Sequence, residues 1–155
     1  MSVIGVDFDG TIVPFLPEGH SLADTGAEKV LRELVDKGHE IILVSCRNNS
    51  LDNPFNYVNG VLREESSLGE AIRWFVERKI PLSGINISPK QKTIIGDSQK
   101  PLVDILIDDT NLGTKLKTMT VDYVSPSTGE IIPGYKTHCV DWSWVRRELI
   151  KKGIL

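Results

Sequence analysis

Short apolar runs recur along the chain and are separated by stretches whose apolar positions follow a helical spacing. The runs predict four strands, at Val3–Val6, Ile41–Val44, Ile85–Ile87 and Val103–Ile107. Strands that alternate with helices usually pair in parallel and connect through right-handed crossovers. The pattern therefore predicts an α/β fold, a Rossmann-like three-layer sandwich with a mainly parallel central sheet.

Three helices are predicted between and after these strands, each with a candidate N-terminal cap. The caps are Thr25 with Glu28, Ser67 with Glu70, and Asp141 before a last helix at Trp142–Lys152. An Asn-rich stretch at 47–60 predicts a polar loop. The segments 120–124 and 130–132 flank a Ser-Pro-Ser-Thr-Gly sequence and predict a hairpin.

The length of 155 residues predicts a single domain, 1–155, with a core at about 1–113 and a C-terminal hairpin and helix at about 118–155. The net charge of −3 comes without a basic run, so no nucleic-acid surface is evident. No apolar stretch approaches the ~20 residues of a membrane span, and the N-terminus does not resemble a signal peptide. Two cysteines without a CxxC pair favour a cytoplasmic location with reduced thiols.

Two carboxylates, Asp7 and Asp9, follow the first apolar strand. Side chains at i and i+2 of an extended strand share a face, so these carboxylates can converge. Gly10 then lets the chain turn sharply. Two anions so close repel each other, and a hard cation with oxygen ligands would relieve the repulsion. The alternative is an ordinary Asp-Gly turn.

Polar side chains also follow two other predicted strands. Ser45 and Arg47 come after the second strand, and Asp108 with Asp109 after the fourth. The carboxyl ends of parallel strands meet at one edge of the sheet, where such folds bind ligands. Three polar strand ends at one crevice favour a functional site over an isolated turn.

These segments resemble the motifs of the haloacid-dehalogenase-like superfamily, and specifically those of its phosphatases. The sequence DFDGT at 7–11 is similar to the first motif, Asp-x-Asp-Gly-Thr. The second motif, an apolar strand that ends in Ser or Thr, is matched by 43–45, and the fourth by 107–109. The third motif is a lone Lys. The resemblance covers about residues 1–113.

The resemblance implies a set of roles at this edge of the sheet. Asp7 would be the nucleophile that forms an aspartyl-phosphate, and Asp9 the general acid and base. Mg²⁺ would be held by Asp7, Asp108 and the backbone carbonyl of Asp9, with Asp109 orienting the site from behind. A second acidic residue favours phosphate over halide chemistry, because a halide leaving group needs no proton.

Substrate binding would fall to residues from several motifs, namely Gly10, Thr11, Ser45, Arg47 and a lysine. We favour Lys100 as the motif lysine, and Lys90 and Lys92 are the alternatives. Arg47 either binds the phosphate or is a surface residue. His39 and His138 are interpreted as structural, whereas His20 is either near the substrate or on the surface.

The resemblance thus implies a Mg²⁺-dependent phosphomonoester hydrolase that acts on a phosphorylated substrate. The loop after Thr11 is too short for a folded cap, so no separate cap domain is expected. Two alternatives stay open: a phosphotransferase that uses the same residues, and a non-catalytic module that binds a phosphate ligand. The sequence also leaves open the identity of the substrate and whether the chain forms a homo-oligomer.

Overall fold

A computed structural model describes residues 1–16, 21, 23–49, 55–58, 61–64, 66–88, 91–95, 100–125 and 128–155. These described residues form twelve short secondary-structure elements. In chain order the elements are β1 (Val3–Val6), α1 (Ala27–Asp36), β2 (Glu40–Leu43), β3 (Phe55–Val58), β4 (Val61–Glu64), α2 (Ser67–Glu77), β5 (Gly84–Ile85), α3 (Gln91–Ile95), β6 (Ile105–Ile107), β7 (Leu116–Val124), β8 (Ile131–Val140) and α4 (Trp142–Lys151).

Four parallel strands form the central sheet, in the order β5-β2-β1-β6. The chain moves in one direction from β1 through β2 to β5, and then returns to place β6 on the other side of β1. Such a reversal creates a crevice at the carboxyl ends of the strands. The predicted α/β, Rossmann-like fold with a mainly parallel sheet is confirmed.

One face of the sheet carries the main hydrophobic core. Parallel-paired residues share a face, and Val6 is in register with Leu43 and Ile107. These three side chains belong to one buried cluster with apolar residues of α1, α2 and α4. Helix α3 lies between β5 and β6 in the chain, and the handedness rule predicts that such a reversed crossover covers the opposite face of the sheet.

The start of α1 differs from the prediction. Its N-cap is Gly26, which has φ 88° and no side chain to cap the helix. The Thr25 hydroxyl donates to the carbonyl of Ile12 at 2.6 Å and still accepts the Ala27 N–H at 3.3 Å. The predicted capping box is wrong in its second half, because the Glu28 carboxylate pairs with Arg32 and Arg78.

The starts of α2 and α4 are closer to the expectation. Ser66, not Ser67, caps α2 by accepting a hydrogen bond from the Gly69 N–H at 3.0 Å. Glu70 is therefore not the partner in a capping box. Asp141 caps α4 as predicted, because its carboxylate accepts from the Ser143 and Trp144 N–H groups.

Two antiparallel hairpins lie outside the central sheet. The predicted polar loop at 47–60 is wrong in part, because β3 pairs with β4 in this region. The predicted C-terminal hairpin is present but longer, with β7 paired to β8 along nearly their whole lengths. Among the described residues, no insertion larger than the β3–β4 hairpin follows β1 or β2. No helix in the described ranges is long and apolar enough to span a membrane.

Candidate active site

Three carboxylates converge at the carboxyl edge of the sheet. Asp7 follows β1 and Asp108 follows the neighbouring strand β6, with the Asp7 N–H bonded to the Ile107 carbonyl at 2.9 Å. One oxygen from each of Asp7, Asp108 and Asp109 lies within 4.8 Å of the others. Carboxylate oxygens in this arrangement are the donors that Mg²⁺ and Ca²⁺ prefer. The group is therefore suited to hold a hard cation.

Thr11 joins two members of this cluster. Its hydroxyl donates to Oδ2 of Asp7 at 3.1 Å and accepts the N–H of Asp109 at 3.0 Å. The residue is fully buried, so the side chain orients the carboxylates from inside the protein. Because the side chain is buried, only the Thr11 backbone is left for the predicted contact with substrate, and that contact stays a prediction.

Gly10 gives Asp109 the room that it occupies. The glycine has φ 71°, and a Cβ at this position would lie 2.4 Å from Oδ2 of Asp109. Any other residue would combine an unfavourable backbone conformation with a steric clash. Gly10 therefore sets the position of Asp109, which lies within the carboxylate cluster rather than behind it.

Burial and neighbouring negative charge disfavour the ionised forms of Asp7 and Asp109. Burial raises the pKa of Asp7 to about 7, and proximity to Asp108 and Asp9 adds to the effect, although hydrogen bonds from Thr11 and the Phe8 backbone oppose it. Burial also raises the pKa of Asp109, with Asp108 contributing in the same direction. A cation among these groups would remove the cost of their ionisation.

Asp9 turns away from the cluster toward Arg47. Both carboxylate oxygens accept hydrogen bonds from the guanidinium, Oδ2 from Nε and Oδ1 from Nη2, each at 2.7 Å. The side chain of Asp9 is still 38% exposed. The predicted metal contact through the Asp9 backbone carbonyl stays a prediction, and the Asp9 carboxylate is not part of the cluster.

Arg47 is held on its other side by α2. Nη1 donates to Oε2 of Glu70 at 2.6 Å and to the Ser67 carbonyl at 3.0 Å, while the guanidinium lies 4.7 Å from the centre of the Phe8 ring. Burial opposes its charge, but Asp9 and Glu70 raise the pKa of Arg47 above its usual range. Arg47 is thus not the solvated surface residue of one sequence interpretation, and its contact with a substrate stays a prediction.

The loop after β2 is fixed by an asparagine that the sequence analysis missed. The Asn86 side chain accepts from the Ser45 N–H at 2.8 Å and donates to the Ser45 carbonyl at 3.0 Å. Asn86 has φ 55°, a left-handed conformation that Asn tolerates. The Oγ of Ser45 accepts the Arg47 N–H at 3.1 Å. The signal for this role was the polar residue between Ile85 and Ile87.

The lysine of the third motif stays a prediction. Lys100 is exposed and precedes β6. Lys92 lies in α3. Lys90 and His20 lie outside the described residues.

The C-terminal segment holds the loop that carries Asp7 and Asp9. The Val140 N–H donates to the Gly10 carbonyl, and Nε1 of the buried Trp142 donates to the Thr11 carbonyl, both at 2.8 Å. The Phe15 N–H donates to the His138 carbonyl at 2.9 Å. Strand β8 and the start of α4 are therefore part of the site's framework.

His138 belongs to the site, whereas His39 does not. Nε2 of His138 lies 3.5 Å from Oδ2 of Asp109, and the imidazole stacks on Phe15 at 5.4 Å. The purely structural interpretation of His138 is therefore incomplete. His39 bonds the Ser2 N–H and the Ile154 carbonyl, which fits its predicted structural role.

Comparisons with known proteins identify a relative among solved structures. No protein-family model and no curated protein matches the sequence. A structure described as that of a conserved protein from Bacteroides thetaiotaomicron is 31% identical, with a TM-score of 0.55, over 72% of this chain and 78% of that chain. The chain belongs to the same family as this conserved protein.

Proposed function

We propose that this protein is a Mg²⁺-dependent phosphomonoester hydrolase with Asp7 as the nucleophile. One observation carries the proposal: three carboxylates converge where β1 and β6 end, with a fourth, Asp9, two residues beyond Asp7. The likeness of residues 7–11, 43–45 and 107–109 to the motifs of haloacid-dehalogenase-like phosphatases supports the same reading.

The carboxylate cluster fits a magnesium ion in its donor chemistry. All its side-chain donors are hard oxygens, from Asp7, Asp108 and Asp109. Burial raises the pKa of Asp7 to about 7, so without a cation part of this carboxyl is protonated at neutral pH. A nucleophilic carboxylate must be ionised, and a bound cation would favour the ionised form. When bound, Mg²⁺ would supply positive charge that draws a phosphate dianion toward these anions.

The chain's own residues would divide the reaction between them. An Asp7 oxygen attacks phosphorus, and the bond from phosphorus to the ester oxygen breaks. Thr11 keeps the Asp7 carboxylate oriented through its 3.1 Å hydrogen bond. Asp9 gives a proton to the departing oxygen and later takes one from the water that hydrolyses the aspartyl-phosphate. Ser45 and Lys100 are the proposed donors to the phosphoryl oxygens.

Turnover of p-nitrophenyl phosphate with and without Mg²⁺ tests the proposal. We expect Mg²⁺-stimulated release of phosphate, and its loss in Asp7→Asn. Asp36→Asn is the matched control, because Asp36 is an exposed aspartate in the last turn of α1, and it should retain full activity. Equal turnover by wild type and Asp7→Asn would refute the nucleophile assignment.

A further inference from the structure

Two stacked rings lie at the rim of the carboxylate cluster. The Phe15 ring and the His138 imidazole are nearly parallel, with an interplanar angle of 7° and 5.4 Å between ring centres. Nε2 of His138 lies 3.5 Å from Oδ2 of Asp109, so the pair borders the proposed reaction site. We propose that these rings form a subsite for an aromatic ring attached close to the phosphate of the substrate. This subsite rests on the proposed function and narrows its substrates to phosphomonoesters that carry such a ring.

Both rings are accessible from solvent. Phe15 is 46% exposed, and the side chain of His138 is 44% exposed. Phe15 is also not among the described residues that form the main hydrophobic core or pack against it. A single exposed apolar side chain is ordinary on a protein surface. Two exposed rings that stack on each other beside three carboxylates are instead a ready surface for a further ring.

The backbone holds the pair in place. The Phe15 N–H donates to the His138 carbonyl at 2.9 Å, and the Thr137 hydroxyl donates to the Phe15 carbonyl. A Cβ added to Gly10 would lie 3.4 Å from Cβ of Phe15, so the Phe15 side chain begins beside the glycine that makes room for Asp109. The loop after β1 therefore fixes the rings relative to the carboxylates, and such preorganisation lowers the cost of binding.

An aromatic ring is the chemical group that suits this surface. Aromatic rings attract each other in offset-stacked and edge-to-face arrangements, because the negative face of one ring meets the positive edge of another. A saturated ring of the same size buries a similar area but has no such charge distribution. With the phosphate at the carboxylates, a ring within a few bonds of it reaches His138, which is in contact with Asp109.

Three phosphonates, which have no ester bond to cleave, test the subsite by isothermal titration calorimetry with Mg²⁺. Benzylphosphonate carries an aromatic ring, cyclohexylmethylphosphonate a saturated ring of similar size, and methylphosphonate no ring. We expect the wild type to bind benzylphosphonate roughly 3- to 10-fold more tightly than cyclohexylmethylphosphonate, the range that an aromatic pair adds beyond its buried area. This comparison does not depend on the folding of any variant.

Substitutions of Phe15 assign the preference to the stacked pair. Phe15→Leu should reduce it to less than about twofold, and should change the affinity for methylphosphonate by less than about twofold. Phe15→Tyr keeps the ring and should keep the preference. The matched control is Tyr135→Leu, because Tyr135 lies in the same strand as His138 but packs edge-to-face against Tyr123, with 5.5 Å between ring centres. This control should bind all three phosphonates as the wild type does.

Kinetics on two pairs of phosphate esters identify the source of the ring. Phosphotyrosine is compared with phosphoserine, and adenosine monophosphate with ribose phosphate. In at least one pair the ring-bearing ester should have the lower KM, and Phe15→Leu should remove the difference. The pair in which this happens shows whether the ring is attached to the phosphate directly or through a sugar. The absence of a difference in both pairs would contradict the subsite.

Several other results would overturn the subsite. Equal affinity of the wild type for benzylphosphonate and cyclohexylmethylphosphonate would refute it and leave the proposed function standing. Much weaker binding of methylphosphonate by Phe15→Leu would mean that this residue only supports the cluster. A dimer in light scattering that Phe15→Leu dissociates would mean that a second copy of the chain covers the rings. A wild type that binds none of the phosphonates and releases no phosphate from p-nitrophenyl phosphate would overturn the proposed function as well.

Discussion

Asp7→Asn should make the metal-free protein more stable at alkaline pH. The wild-type carboxylate is half-buried beside Asp108 and Asp9, and burial with this repulsion raises its pKa to about 7 from an ordinary value of 3.8. Asparagine has nearly the same shape and keeps an oxygen that can accept from Thr11. It has no charge to desolvate, so the substitution removes a cost and little else.

The structure sets the size and the sign of the effect. At 1.36 kcal/mol for each pKa unit, the shift corresponds to at most about 4 kcal/mol. Asp7 is partly exposed, so solvent screening reduces this to roughly 1–2 kcal/mol. An acid whose pKa is raised by folding costs stability as pH rises from about 4, where the unfolded chain ionises, to about 7. The cost is then constant at higher pH.

Thermal unfolding with EDTA at pH 4.5 and pH 8 measures this difference. At pH 8 we expect the melting temperature of Asp7→Asn to exceed that of the wild type by roughly 2–8 °C, since 1 kcal/mol shifts a domain of this size by about 2–4 °C. At pH 4.5 the excess should be roughly half as large, because the unfolded chain is already mostly ionised there. Adding Mg²⁺ at pH 8 should stabilise the wild type more than the variant, because the cation binds the folded carboxylates.

The matched control again is Asp36→Asn. Its carboxylate is exposed in the last turn of α1, so the change should shift stability by only a few tenths of a kcal/mol at either pH. An Asp7→Asn protein that is less stable than wild type at pH 8 in EDTA would refute the argument. A stability gain that is the same at both pH values would also contradict it, because the cause would then not be ionisation.

Two further substitutions probe the framework of the site. Gly10→Ala should lower the free energy of unfolding in urea by roughly 2–4 kcal/mol, because it adds backbone strain and a clash with Asp109. Gly38 has a similar φ but open space around it, so Gly38→Ala should cost only about 1–2 kcal/mol. Equal costs for the two substitutions would exclude the clash. Trp142→Phe should cost roughly 1–3 kcal/mol, because it leaves the Thr11 carbonyl without its buried donor, and a circular-dichroism melt that matches wild type would contradict this.

The central sheet could be predicted because its signals are local. Continuous apolar runs identify β1, β2 and β6, and parallel pairing then brings their carboxyl ends together. The convergence of Asp7 with Asp108 follows from this without further information. The β3–β4 hairpin was missed because its surroundings are rich in Asn, a composition that is typical of loops.

The helix caps show where local signals fail. Thr25 keeps its local contact with the Ala27 N–H, yet Glu28, the expected second half of the capping box, pairs with Arg78. Glu70 fits the third position of a capping box, yet it bonds Arg47. In both cases the glutamate bonds an arginine from a distant part of the chain, and no pattern within a few residues records that partner.

The sequence by itself determined which strands end in acidic residues and on which edge of the sheet those residues meet. Only the tertiary structure decided their environment. Arg47 bonds the Asp9 carboxylate although the two residues are 38 positions apart in the chain, and Trp142 bonds the Thr11 carbonyl from 131 positions away. The physical reason is that periodicity fixes the direction of a side chain relative to its own element. Contacts between distant elements depend instead on how those elements pack, and burial and charge at the site follow from that packing.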